Sequence, residues 1–71
     1  MTEIKIKTEY ITLGQFLKLA GIIDYGGLAK TYLLQNDVFV NNQLENRRGR
    51  KLYKDYQIKV EDKIFLIKNE D

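Results

Sequence analysis

The stretch Thr12-Leu13-Gly14-Gln15-Phe16-Leu17-Lys18-Leu19-Ala20-Gly21 carries a complete helix signature. Thr12 at the N-cap with Gln15 three residues later is a capping box, in which each side chain bonds to the other residue's backbone N–H. Apolar side chains then recur at helical spacing and define one face to be buried: Leu13, Phe16, Leu17 and Ala20. Gly21 is a natural C-terminal stop, so we predict a first helix over residues 13–20.

A second helical stripe follows a short break in the pattern. Asp24-Tyr25-Gly26-Gly27 interrupts the chain, and Asp24 is a candidate N-cap for the next helix. That helix is predicted to run to about Gln35 from four apolar residues at helical spacing: Leu28, Ala29, Tyr32 and Leu33. We expect Asn36 to end it in the left-handed conformation, which asparagine tolerates better than most residues.

The rest of the sequence has strand patterns, with apolar residues in alternation or in short runs. Strands are predicted at Glu3–Lys7, Val38–Val40, Tyr56–Val60 and Ile64–Ile67. Turns are predicted at residues 41–43 and 61–63, and residues 68–71 are expected to fray. The fold class is therefore α+β, with two short helices packed on a small, mainly antiparallel β-sheet. We expect one domain over residues 1–71, with its core at about 10–67.

Composition excludes most catalytic chemistry. The chain of 71 residues contains no Cys and no His, so it lacks thiol nucleophiles, disulfides and the side chain most used for proton transfer. A chain of this size buries only about 60% of the surface that it exposes when unfolded, which leaves little core for a deep pocket. We therefore expect a non-catalytic binding module with no cofactor, no metal and no small-molecule substrate.

Neither a membrane segment nor a targeting segment is predicted. No apolar run approaches the roughly 20 residues that a spanning helix needs, and Met1 is not followed by a basic and then apolar segment. We expect a cytoplasmic protein that does not contact membranes and is a monomer.

The positive charge is concentrated in one segment. Arg47-Arg48-Gly49-Arg50-Lys51-Leu52-Tyr53-Lys54, here called the basic segment, carries five positive charges and no negative one. The other 63 residues hold 7 basic and 10 acidic side chains, so their net charge is −3. Such a segment is either a solvated loop or a positioned anion site. The three arginines favour the anion site because their planar forks suit phosphate, and Gly49 allows a ligand to approach the backbone.

Most aromatic residues are expected in the core, including Phe16 and Tyr32. Tyr53 differs because it lies inside the basic segment. Aromatic residues interleaved with Arg and Lys suit single-stranded or looped RNA, which offers bases for stacking and phosphates for charge contact.

Two parts of the sequence resemble a known family. Residues 13–42 resemble the RNA-binding domain named after ribosomal small-subunit protein four, here called the S-four domain. Leu13 and Leu17 match the opening leucines of the family pattern, and Gly21 matches its first Gly. Ala29 and Lys30 match its Ala-Arg pair, and Leu33 takes its Ile position. Val38-Phe39-Val40-Asn41 matches its strand motif. Residues 11–18 and 45–52 are similar to the short, stand-alone YaaA/YbcJ-type members of bacteria. The resemblance implies an RNA-binding protein whose RNA surface combines the second helix with the adjacent β-loop.

Where the sequence differs from the family pattern, the differences make the basic segment the main expected contact with RNA. The family's Ser-Arg falls on Tyr25-Gly26, so one RNA-contacting arginine is absent from the second helix. Asn36 and Asn42 stand where the family has glycine, which is a mild change because asparagine tolerates left-handed backbone. Lys30 retains a positive charge at the Ala-Arg position.

We predict a small protein that binds structured RNA, either ribosomal RNA or a tRNA-like fold, through the basic segment as a loop and through the second helix. Phosphate contacts are assigned to Lys30, Arg47, Arg48, Arg50, Lys51 and Lys54. Sugar or base-edge contacts are assigned to Asn41, Asn42 and Gln43, and a stacking contact to Tyr53.

Two alternatives stay open. The chain could be a protein-interaction adaptor on a ribosomal or replication-linked assembly, docking through the edge of the Val38–Val40 strand or the exposed face of Phe39. Binding of duplex DNA has less support, because neither helix carries several Arg, Lys, Asn or Gln on one exposed face for reading the major groove.

Overall fold

The computed structural model describes residues 1–70 and combines two short helices with a five-stranded sheet and a separate two-stranded sheet. The helices are α1 (Leu13–Leu19) and α2 (Ala29–Gln35), and a 3₁₀ turn (Gly26–Leu28) leads directly into α2. The strands are β1 (Thr2–Ile6), β2 (Tyr10–Thr12), β3 (Val38–Val40), β4 (Gln43–Leu44), β5 (Lys51–Tyr53), β6 (Gln57–Val60) and β7 (Lys63–Asn69). The predicted α+β class is confirmed.

The five-stranded sheet has the order β1-β7-β6-β3-β4. Only the β1–β7 pair is parallel, and the three others are antiparallel, as the prediction of a mainly antiparallel sheet required. Two tight hairpins set its register. Asn41 and Asn42 join β3 to β4 with φ of 51° and 69°, and Glu61 and Asp62 join β6 to β7 with φ of 53° and 66°. Positive φ at both central residues matches the right-handed twist of the flanking strands.

The predicted capping box of α1 is present. Thr12 Oγ1 accepts from Gln15 N at 3.2 Å, and Gln15 Oε1 accepts from Thr12 N at 2.8 Å. At the other end Gly21 takes φ of 75°, and its N–H donates to Lys18 O while Ile22 N–H donates to Leu17 O. These two bonds form a Schellman motif, which satisfies carbonyls that the helix leaves free.

The ends of α2 differ from the prediction. Asp24 caps nothing, because the chain enters α2 through the 3₁₀ turn, and the N-cap residues Tyr25 and Leu28 make no side-chain cap bond. Asn36 has an extended backbone, with φ of −136°, so the prediction of a left-handed conformation at this residue is wrong. The Asn36 backbone N–H donates to Tyr32 O at 2.9 Å, and the Asn36 side-chain amide adds a second bond to the same carbonyl at 3.1 Å.

The second sheet was not predicted. β2 and β5 pair antiparallel, with Ile11 opposite Leu52. Part of the basic segment is therefore a strand, and its prediction as a loop throughout is wrong. A three-residue strand offers a single inward side chain, here Leu52, which is too little alternation to recognise among charged neighbours. The expected fraying is also wrong for residues 68 and 69, which extend β7; Asp71 lies outside the described residues.

The core lies between the helices and the sheets. Phe16 of α1 and Phe65 of β7 pack edge to face, with ring centroids 5.2 Å apart. Tyr32 packs against this core from α2, and its hydroxyl donates to Glu61 at the β6–β7 turn. Burial, followed by that hydrogen bond, raises the pKa of Tyr32 to about 12. The fully buried members are Phe16, Leu13, Leu17, Leu52, Ile58, Ile67, Val38, Val40 and Val60.

The edge of the Val38–Val40 strand is not available for docking. β3 is paired with β6 on one side and with β4 on the other, so both of its edges are covered. The edge strands of this sheet are β1 and β4, and Phe39 is half-buried. In the part of the chain that the structure describes, no helix is long and apolar enough to cross a membrane.

Candidate nucleic-acid interface

The basic segment begins in a tight turn and ends in β5. Arg50 N donates to Arg47 O at 3.1 Å, which closes a turn around Arg48 and Gly49. Lys51 and Tyr53 then lie in β5 on either side of the buried Leu52. The charges of this segment are therefore divided between a turn and a short strand.

The main chain of the turn is attached to the start of α1. Leu13 N donates to Arg50 O at 2.8 Å, and Gly14 N donates to Arg48 O at 2.9 Å. A Cβ at Gly14 would lie 3.5 Å from Arg48 O and 3.4 Å from the Cβ of Ala29. These are ordinary van der Waals distances, so the turn and α2 both pack directly on α1 at Gly14. The first N–H groups of α1, which have no partner inside the helix, are satisfied by the turn.

One acidic side chain organises the arginines. Glu45 is only 6% exposed and accepts four hydrogen bonds from two residues of the basic segment. Arg47 donates from its backbone N (3.1 Å) and from Nε (2.9 Å) to Oε2, and from Nη2 (3.0 Å) to Oε1. Arg50 donates from Nη1 to Oε1 at 2.8 Å. Two of the three arginines are thus held by a single carboxylate.

This network keeps Glu45 ionised. The side-chain hydrogen bond from Arg47 is the main cause that lowers the pKa of Glu45 from 4.5 to about 2, against the opposing effect of burial, and Arg50 adds to it. The same pair raises the pKa of Arg47. Glu45 did not figure among the predicted site residues, because an acid beside a basic run looks like a solvated counter-charge. Its position two residues before Arg47 and five before Arg50 was the available signal.

The other predicted cations have no acidic partner among the residues that the structure describes. Arg48, Lys51, Lys54 and Lys30 are all exposed, and none of them forms an ion pair within residues 1–70. The Lys51 ammonium lies 4.9 Å from the centre of the Tyr10 ring, a cation–π contact across the two-stranded sheet. These side chains retain their hydrogen-bond donors for an anionic ligand.

Tyr53 lies in the middle of an aromatic row. Its ring centroid is 5.7 Å from that of Tyr10 and 5.6 Å from that of Tyr56. Arg50 reaches the far end, with its Cζ 5.9 Å from the Tyr56 ring centre. All three rings are half-buried, so each has a surface open to solvent beside the cations.

The predicted polar residues stand apart from this network: Asn41 and Asn42 form the β3–β4 turn, and Gln43, which was predicted in that turn, begins β4. Asn41 N donates to Gln57 O, and Asn41 Oδ1 accepts from Gln57 N at 2.9 Å, so its carbonyl anchors the start of β6. Asn42 and Gln43 are exposed. Within the described chain no hydrogen bond or ion pair joins the side chains of this turn to the basic segment.

A groove of about 470 Å³ opens where α1, the 3₁₀ turn and the basic segment meet. We call it the glycine groove, because its lining includes Gly14, Gly26 and Gly49, together with Lys18 and Arg48. Lys18 is a cation that the sequence analysis missed. Its place on the exposed side of the last turn of α1 was the only signal for it.

Comparisons with known proteins identify the family of this chain. The family described as S4 domain matches residues 4–68, which is nearly the whole chain. A protein of Bacillus subtilis (strain 168) named "Probable ribosome maturation protein RlbA" is 55% identical over 58 residues, which cover 82% of each of the two chains. The earlier resemblance to a stand-alone S-four protein is confirmed. The chain belongs to the S4 domain family.

Proposed function

We propose that this protein is a non-catalytic RNA-binding protein that acts in ribosome maturation and recognises structured RNA. Its RNA would be ribosomal RNA or a tRNA-like fold. Membership of the S4 domain family and the ribosome maturation name of the Bacillus subtilis relative both support this role. The protein would act in the cytoplasm as a single-domain monomer.

One observation carries the proposal: the basic segment is held in place before any ligand arrives. Its backbone carbonyls accept from α1, and two of its arginines are fixed on Glu45. Binding then costs less conformational entropy than it would for a free loop, because the segment is already ordered. Phosphate attraction, which supplies most of the affinity of basic surfaces for nucleic acid, acts on an organised set of charges.

The proposed contacts follow the chemistry of each side chain. Arg48, Lys51 and Lys54 would bind phosphates with all their donors, and Arg47 and Arg50 with the donors that Glu45 leaves free. Lys30 would add a phosphate contact from α2. Tyr53 would stack on an unpaired base, and the amides at residues 41–43 would contact sugar or base edges, with Asn41 limited to its NH₂ group.

A salt titration with purified bacterial ribosomal RNA tests the proposal. If about four cations contact phosphate, log K falls with log salt with a slope of roughly −3 to −4. The variant with Arg48, Lys51 and Lys54 all changed to Ala should bind more weakly with a flatter slope, and it leaves the Glu45 network intact. A matched control changes Lys5, Lys59 and Lys63 to Ala, which removes the same charge from exposed strand positions. A wild-type slope near zero, or equal losses in both triple variants, would contradict the proposal.

Docking of a protein partner is a second candidate function, supported by one observation. Leu44 is 62% exposed on β4, one of the two edge strands of the five-stranded sheet. Ribonuclease treatment of a cell extract separates the two functions. It should release the protein from assemblies that RNA holds together, whereas a partner bound at Leu44 would stay attached and would be lost in Leu44→Asp.

A further inference from the structure

The face of the five-stranded sheet that is turned away from the core carries a row of adjoining side chains. Phe39 points to this outer face, because both of its neighbours in β3 are buried in the core. Leu44 of β4 and Lys59 of β6 lie directly opposite Phe39 in the register. Ile64 of β7 lies opposite Lys59. Directly paired residues share one face, with their Cβ atoms roughly 4.5–5.5 Å apart, so these four residues form a row across four strands, here called the outer row.

The outer row is largely apolar and open to solvent. Leu44 is 62% exposed, Ile64 is 42% exposed, and Phe39 is half-buried. Lys59 stands between Phe39 and Ile64, and a lysine contributes an apolar stem beneath its charged end. Leu66 lies two residues from Ile64 on the same face of β7 and is half-buried, so it extends the apolar surface. Single exposed apolar side chains are normal, but adjoining ones on one face indicate an interaction site.

An acidic cavity of about 210 Å³ adjoins the outer row. The cavity is lined by Asp37, Phe39, Lys59, Glu61 and Asp62. Three carboxylates and one ammonium give this lining a net charge of −2. Glu61 accepts a hydrogen bond from Tyr32, but none of the three carboxylates forms an ion pair within residues 1–70. The carboxylates are therefore available to cations from outside the chain.

The charge of the cavity determines which kind of partner fits this surface. Nucleic acid and acidic protein segments are repelled by its carboxylates. A protein segment with Lys or Arg beside an apolar side chain matches both parts, because its cations meet the carboxylates and its apolar group covers the outer row. The basic segment of a second copy would bring cations but no exposed aliphatic side chain, since its Leu52 is buried.

We propose that the outer row and the acidic cavity together bind a segment of a basic protein. An aliphatic or aromatic side chain of the segment packs on Leu44, Phe39 and Ile64, and its Lys or Arg side chains pair with Asp37 and Asp62. This inference goes beyond RNA binding and does not depend on it. It gives the second candidate function a surface and a partner chemistry. The surface shares no residue with the proposed RNA contacts, so RNA and a basic protein can be bound at the same time.

A synthetic peptide with a Leu-Phe-Leu block followed by a Lys-Arg-Lys block tests the proposal on the full chain. Its titration should shift the NMR signals of the outer row and of the residues that line the acidic cavity. Two control peptides carry Ser in place of the apolar block or Glu in place of the basic block, and each should bind at least about tenfold more weakly. Absence of binding, shifts confined to other parts of the chain, or equal affinity for the Glu peptide would overturn the proposal.

Variants of the outer row test its apolar contribution. Leu44→Ser combined with Ile64→Ser should weaken peptide binding by at least about tenfold, because both side chains lose the apolar surface that the peptide buries. Leu34→Ser is the matched control, since Leu34 is 75% exposed on α2 and lies outside the row. It should bind like the wild type. If the double variant has a lower melting temperature, Leu44→Ser alone replaces it, and wild-type affinity in that variant counts against the row.

Variants of the acidic cavity test its charge. Asp37→Asn combined with Asp62→Asn should weaken peptide binding by at least about twofold and make the remaining affinity less sensitive to salt. Asparagine suits the left-handed backbone of Asp62, which has φ of 66°. Asp24→Asn is the matched control, because Asp24 is exposed but does not line the cavity. Equal effects of the control and the double variant would show that the cavity does not select a basic partner.

Two further measurements separate this inference from a second copy and from RNA binding. Analytical ultracentrifugation of the wild type without peptide should show a monomer. A dimer that Leu44→Ser with Ile64→Ser dissociates would assign the face to a second copy and overturn the proposal. The Arg48, Lys51 and Lys54 triple variant should bind the peptide like the wild type. RNA binding fails if the wild type shows no salt-dependent affinity for ribosomal RNA, whereas this inference fails if the peptide does not bind.

Discussion

Glu45 holds Arg47 through both oxygens of its carboxylate, with Nε 2.9 Å from Oε2 and Nη2 3.0 Å from Oε1. The acid is nearly buried, whereas the Arg47 side chain is 71% exposed. A buried group therefore fixes the orientation of a surface cation. Because Arg50 shares the same carboxylate, the order of the turn at residues 47–50 depends on one acidic side chain.

Removal of that carboxylate should destabilise the fold. In Glu45→Ala, both arginines and the Arg47 backbone N–H lose their acceptor, and we expect the free energy of unfolding to fall by about 1–3 kcal/mol. Urea denaturation followed by circular dichroism measures the change. Glu3→Ala is the control, because Glu3 is exposed on β1 and has no ion-pair partner among the described residues. Equal stability of the wild type and Glu45→Ala would show that the network contributes nothing.

Acid should weaken the protein through the same residue. The pKa of Glu45 is lowered by folding from 4.5 to about 2, so its contribution to stability is complete above pH 4.5. That contribution is lost as the pH falls from 4.5 towards 2, because the proton binds more tightly to the unfolded chain. Urea midpoints measured across this interval should therefore fall more steeply for the wild type than for Glu45→Gln. Parallel curves for the two proteins would contradict the assignment.

Arg48 and Arg47 should respond differently to truncation. Arg48 has no side-chain hydrogen bond to any of residues 1–70, so Arg48→Ala should change the free energy of unfolding by no more than about 0.5 kcal/mol. It should still weaken RNA binding and reduce the magnitude of the salt slope by about 1. Arg47→Ala should weaken binding and also lower stability, because it leaves Glu45 partly unpaired. Denaturation and RNA titration on the same preparations separate the two effects, and a stability loss in Arg48→Ala would contradict this division.

The two-stranded sheet should depend on the buried side chain of β5. Leu52 is completely buried, and Leu52→Ala should cost about 2–5 kcal/mol through the cavity that it leaves. Domains of this size have little stability to spare, so we expect a large fall in melting temperature. Leu44→Ala removes the same atoms from an exposed position and should have little effect. Similar melting temperatures for the two variants would show that β5 does not anchor the core.

Gly21 and Gly26 should respond differently to replacement by alanine. Gly21→Ala forces a Cβ into the left-handed region and should cost about 1–2 kcal/mol. Gly26→Ala meets no neighbour and should leave the free energy of unfolding unchanged or raise it slightly. Thermal unfolding of both variants beside the wild type tests this, and a loss of stability in Gly26→Ala would show that the 3₁₀ turn needs its glycine.

The sequence predicted many of the residues of the candidate site but not which of them lie together in space. The basic segment was evident because its five charges are adjacent in the sequence. Lys18 could not be assigned to the same region, since only the packing of α1 against the turn of the basic segment places it beside Arg48. Glu45 was missed because a local pattern does not distinguish a buried acid from a solvated one.

The sequence alone determined those features that rest on residues close together in the chain. Thr12 and Gln15 are three positions apart and cap α1 directly, and Asn41 and Asn42 form their hairpin turn because asparagine tolerates positive φ. Only the tertiary structure decided the pairing of β2 with β5 and the parallel pairing of β1 with β7, in which Thr2 lies opposite Phe65. Such contacts leave no local pattern, because a strand satisfies its backbone with a partner whose identity depends on how the whole chain folds.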